Sequence, residues 1–139
     1  MWKVSSQGGH AVQIARNPAE NPLESTDGQY LFFVRNKRLW RIKPGGVSEQ
    51  IVKGMPELSY WGGEWFPSGS GIYFMNHSVD KAAIEFFDLK TEKVRRLYEL
   101  EKSPPGYMGA MPVSRDGKWL LFPQVDATSS DLMMIENWQ

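Results

Sequence analysis

The sequence predicts an all-β chain of β-propeller blades, four-stranded antiparallel sheets, with roughly three blades in 139 residues. Three observations predict it. First, "ESTDGQYLFF" (Glu24 to Phe33) and "VSRDGKWLLF" (Val113 to Phe122) match at Ser25/Ser114, Asp27/Asp116, Gly28/Gly117, Tyr30/Trp119, Leu31/Leu120 and Phe33/Phe122. "WFPSGSGIYF" (Trp65 to Phe74) lies between them in degenerate form, with Gly69 at the turn glycine, Ile72 at the leucine and Phe74 at the last aromatic. The turn glycines Gly28, Gly69 and Gly117 are 41 and 48 residues apart, a spacing of roughly 44 that suits a propeller blade. Second, each copy is followed by a short apolar strand, a turn and another strand, as in "LWRIKPGGVSEQIV" (Leu39 to Val52) and "IEFFDLKTEKVRRLYEL" (Ile84 to Leu100). Third, the apolar runs are short and bounded by Gly, Pro, Asp and Ser, which is strand and turn chemistry.

Residues 1–16 form a partial blade. There "WKVSSQGGHAVQI" places Trp2, Gly8-Gly9 and Ile14 on Trp40, Gly45-Gly46 and Ile51, so the chain enters in the middle of a repeat. Residues 22–54 and 60–101 are two full blades, and 108–139 a last one lacking its outer strand. The Asp-Gly pairs at 27–28 and 116–117 join strand one to strand two, because glycine accepts positive φ and the carboxylate bonds local amides. Strand three is the Leu39, Phe86 or Leu132 segment, and strand four is Glu49 to Val52 or Val94 to Leu100. The aromatics of strand two, in a chain that is 13% aromatic, fit the layers where successive sheets pack.

Composition excludes several classes of function. Sixteen Lys and Arg balance sixteen Asp and Glu, so no net field favours nucleic acid, and direct DNA or RNA binding is not expected. No apolar run approaches the roughly 20 residues of a membrane helix, and Met1 to Val4 lacks the apolar core of a secretory signal. With no cysteine, disulfides and thiolate metal sites are ruled out, while the compartment, cytoplasmic or periplasmic, stays open.

A closed propeller takes about four to eight blades, and roughly three leave a ring open. Bare packing faces at both ends are an aggregation liability, so the ring is expected to be completed by missing blades or by a second copy. Two chains supply about six blades, within that range, which makes a homodimer the expected partner arrangement.

The turn stretches resemble the S-x-D-G-k-x-[LI]-x-[FY] motif of TolB-like, WD-related β-propeller repeats. More narrowly, "LWRIKPGG", "GIYF", "IEFFDLKTEKVRRL" and the ending "SSDLMMIENWQ" resemble the C-terminal third of propellers in bacterial multidomain regulators, which follow a winged-helix DNA-binding domain or a Ser/Thr kinase domain. The resemblance implies the fold and a sensory or scaffold role, and it carries over no catalytic residue. It departs from the family in lacking the effector domain and the earlier blades. Met1 falls inside a strand motif, which reads as an artificial start or a truncated gene.

The candidate contact residues are Tyr60, Trp61 and Trp65 of "YWGGEW", with Glu24 and Glu64 on the first strands. Large aromatics at a channel mouth make good anchors for peptide or sugar; the alternative is that Trp65 packs between blades and Trp61 covers a turn. His10 and His77 lack a second ligand at i+2 or i+4 and read as solvated loop residues. "PSGSG" (Pro67 to Gly71) is a turn rather than a nucleophile elbow. Asp126 and Asp131 lack the order of a calcium loop, "NHS" at 76–78 matches the glycosylation sequon by chance, and the Gly-Gly pairs precede no helix pattern. No catalytic residue, metal or cofactor is expected. The reading is a non-catalytic interaction module, the alternative being the propeller part of a prolyl-oligopeptidase-like hydrolase or of a propeller lyase or lactonase. Glu24 and Glu64 on one polar channel would favour the alternative.

Overall fold

The structure is a computed structural model, which describes residues 1–58, 64–77, 80–105, 111–114 and 116–127. All regular structure among them is antiparallel β, with no helix. A hairpin of β1 (Trp2–Lys3) and β2 (Val12–Gln13) precedes two four-stranded sheets. Sheet I joins β3 (Glu20–Glu24), β4 (Leu31–Arg35), β5 (Arg38–Ile42) and β6 (Gln50–Ile51) in chain order. Sheet II repeats that meander with β7 (Trp65–Ser68), β8 (Gly71–Asn76), β9 (Ala83–Asp88) and β10 (Lys93–Glu99).

Local chemistry explains the meander. In the first turn the Ser25 hydroxyl donates to Asp27 Oδ1 at 2.6 Å and accepts from the Tyr30 amide at 2.9 Å, while the Gln29 amide donates to Asp27 Oδ1 at 3.0 Å. Gly28 takes φ +69°, open to glycine at no steric cost. The turn is rebuilt 89 positions on: Ser114 Oγ to Asp116 Oδ1 at 2.6 Å, the Trp119 amide to Ser114 Oγ at 3.0 Å, the Lys118 amide to Asp116 at 3.1 Å, and Gly117 at φ +71°. Sequence-matched residues therefore make matched bonds. Sheet I then turns between Arg35 and Arg38 through Asn36 and Lys37, both at positive φ, the signature of a two-residue I′ hairpin. Sheet II closes its last hairpin on Asp88 Oδ1, which accepts from the Lys90 and Thr91 amides and the Thr91 hydroxyl.

The alternation of side chains makes each sheet two-faced. Phe32, Val34 and Leu39 of sheet I, with Val52, Met55 and Leu58 that follow it, form one apolar layer with Trp65, Ile72, Phe74 and Phe87 of sheet II. Met75 and Ile84, on the other face of sheet II, form a second layer with Leu100, Met111, Leu120 and Phe122. Strands of the two sheets come together at β3 and β7, and after β6 Gly54 lies close against Glu92 of the β9–β10 turn.

One expectation is corrected. Trp2 pairs with Gln13, whereas Trp40 pairs with Ile51. Gly8 stands one residue further from Trp2 than Gly45 does from Trp40, so matching the glycines shifts the partner by one. The last repeat is described only in part, with the Leu121 amide donating to the Pro112 carbonyl and the Ser114 amide to the Trp119 carbonyl. Among the described residues its first two strands meet in a single bridge, Val113 to Leu120, with Trp119 and Leu121 exposed, and its third strand lies outside the described residues.

Candidate functional site

Between the Ser25–Tyr30 turn and the Pro67–Gly71 turn lies an open cleft of about 290 Å³, close to the lower end for small-ligand sites. The two turns touch: the Gly69 amide donates to Thr26 Oγ1 at 3.3 Å. Leu89, after β9, donates its amide to the Ser70 carbonyl at 3.0 Å and supplies an apolar wall with Phe32.

Arg41 of β5 enters this cleft, opposite Phe32 in the sheet register, with its guanidinium over the Tyr30 ring at 4.8 Å. Its Nε is buried and has no hydrogen-bond partner, and among the described residues no carboxylate pairs with it. Lys90 adds a second cation at the rim. The nearby acid, Asp27, is held below its ordinary pKa of 3.8, first by the Ser25 hydroxyl and then by the Gln29 amide. It stays ionised, bonded within its own turn, and Lys90 lies beside Asp88, so the cation of the cleft with neither a hydrogen bond at Nε nor a carboxylate pair among the described residues is Arg41.

The predicted contact residues do not assemble into one site. Tyr60 and Trp61 lie outside the described residues. Trp65 is fully buried, edge-on to Phe32 at 71°, and joins the two sheets as the packing alternative expected. A surface anchor role is not open to it. Glu24 is exposed, opposite Leu31 beside the first turn. Glu64 is only 5% exposed and meets His77 Nε2 through Oε2, while its carbonyl accepts from the Met75 amide at 2.9 Å. The structure thus joins Glu64 to His77, across the β7–β8 hairpin, rather than to Glu24. His77, read from sequence as a solvated loop residue, is bound to a buried carboxylate; the β7–β8 register, which sets Trp65 opposite Phe74, was the signal that placed it there.

No serine or threonine hydroxyl among the described residues bonds to His77. Among them there is also no group of three or more potential metal ligands. Asp126 is exposed and paired with Lys102 at 2.8 Å, and Asp131 lies outside the described residues. Arg41 escaped the sequence reading because an arginine in the alternating pattern of "LWRI" looks like any solvent-facing strand residue.

A scan of protein-family models finds no match, and no curated protein matches the chain.

Proposed function

We propose that the chain is a segment of a TolB-like β-propeller that acts by binding rather than by catalysis, the sensory or scaffold part of a bacterial signalling or transcription-regulating protein. The observation that carries this reading is the turn built twice with the same bonds, at Ser25–Tyr30 and Ser114–Trp119. Its regular recurrence, the two equal meanders and their approach through first strands support sheets rotated about a shared axis. The ligand face is the one bearing the Arg41 cleft, where the turns of successive repeats meet.

The ring is completed by further blades or by a second copy, and for this chain as it stands we favour the second copy. Apolar side chains are exposed on both flanking segments: Trp2 and Val12 on the hairpin, Trp119 and Leu121 on the last repeat. Joining such faces removes apolar surface from water. Light scattering on the eluting protein tests this. A mass of two chains is expected, shifted towards one chain by Trp119→Glu; a well-behaved folded monomer would defeat completion by pairing.

A further inference from the structure

We propose that Arg41 anchors a ligand site whose chemistry is that of a small carboxylate with a flat apolar body. The inference deepens the binding-module reading and rests on it for the choice of face. The comparison among arginines carries it. Arg35 Nε donates to the Pro18 carbonyl at 2.7 Å, Arg96 Nε to Glu85 Oε1 at 3.2 Å, and Arg38 Nε lies 3.6 Å from Glu57. Of these four Nε groups Arg41's is buried with no partner; Arg35 too has a buried Nη2 without one, but its Nε and Nη1 are held by Pro18 and Glu49.

A buried donor left unmade is costly, and a guanidinium offers an Nε–Nη edge whose two parallel N–H groups match a carboxylate. The cleft supplies the rest of the specificity. Phe32, Leu89 and Tyr30 give apolar and aromatic surface for the ligand body, and Lys90 adds positive charge. The Asp27 carboxylate keeps its charge but is bonded to Ser25 and Gln29 within its own turn, so it limits the site to a single carboxylate rather than a multiply charged anion. Because Nε is buried and the guanidinium lies over the Tyr30 ring, a carboxylate would reach that edge by shifting the guanidinium against the ring. Binding is therefore reported at both residues. A carboxylate is favoured over phosphate because the planar fork and the apolar walls suit a planar, partly apolar ligand.

The test is a titration of the full ¹⁵N-labelled chain with benzoate, acetate and inorganic phosphate, following arginine Nε–Hε and Tyr30 ring signals. Benzoate is expected to move the Arg41 and Tyr30 signals saturably, with acetate needing at least about tenfold more. The Arg35 signal, capped by Pro18, should stay in place. Arg41→Lys keeps the charge without the fork and should abolish the Tyr30 response. A response to phosphate as strong as that to benzoate, parallel movement of Arg35, or a Tyr30 response surviving in Arg41→Lys would each overturn the proposal. The comparison among the three anions uses the unsubstituted chain, so it decides the matter even if the variant does not fold. Absence of any saturable shift would remove the carboxylate site and leave the stacked-sheet reading, which the mass measurement tests separately.

Discussion

The Ser25 hydroxyl donates to Asp27 Oδ1 at 2.6 Å, and Ser25 Oγ accepts from the Tyr30 amide at 2.9 Å, so one side chain closes the turn from both ends. Ser114 does the same for Asp116 and Trp119. Ser25→Ala and Ser114→Ala are each expected to lower stability by about 1 kcal/mol. With no shared partner the two losses should add in the double variant. Urea denaturation with an unchanged m-value checks this.

Acidification should destabilise the chain. Asp27 and Asp116 are held low first by their serine hydroxyls, Asp88 first by the Thr91 amide, and Glu49 first by its bond from Arg35 at 2.6 Å. A depressed folded pKa means that the unfolded chain takes up protons first. The contribution is therefore fully present above the ordinary values of 3.8 and 4.5, and is lost as pH falls through the folded values. Melting temperature should drop on descending through that range, and Asp27→Asn with Asp116→Asn should flatten the dependence while lowering stability at neutral pH.

His77→Ala leaves the Glu64 carboxylate buried without its partner. A loss of about 1–3 kcal/mol is expected. Replacing both residues, Glu64→Leu with His77→Leu, should cost less than His77→Ala alone, because no charge is then stranded. Denaturation midpoints of the three variants decide it.

Gly71 pairs with Asp88 where β8 passes β9, and a Cβ there would collide with the Phe86 ring and the Phe87 carbonyl oxygen. Since one obstacle is backbone, relief requires the strands to part, and Gly71→Ala should cost at least about 2 kcal/mol. Gly117→Ala meets open space and carries only the strain of positive φ, for which about 1 kcal/mol is expected. Thermal melts of the two variants should rank them in that order.

What the sequence disclosed depended on how far apart the interacting groups lie. The Ser-x-Asp-Gly turns bond within five residues, so their chemistry is written in consecutive letters and was legible. So were strand two and strand four, which occupy β4 and β8, β6 and β10 close to the expected spans. Glu64 and His77 meet only because a hairpin sets their register, and Arg41 becomes distinctive only once its neighbours are known to withhold an acceptor. The aromatic stretch from Tyr60 divides accordingly. Trp65 follows the alternation into the core, while Tyr60 to Gly63 lie outside the described residues.

Because each sheet is a meander of consecutive strands, sheet I has its strand partners by Ile51 and its flanking backbone bonds from Val52 and Leu58 before Trp65 is synthesised. On a ribosome adding about 5–20 residues per second, its ladders would have seconds to form before sheet II competes for them. Assembly would then proceed by addition, each newborn sheet laid against a finished neighbour.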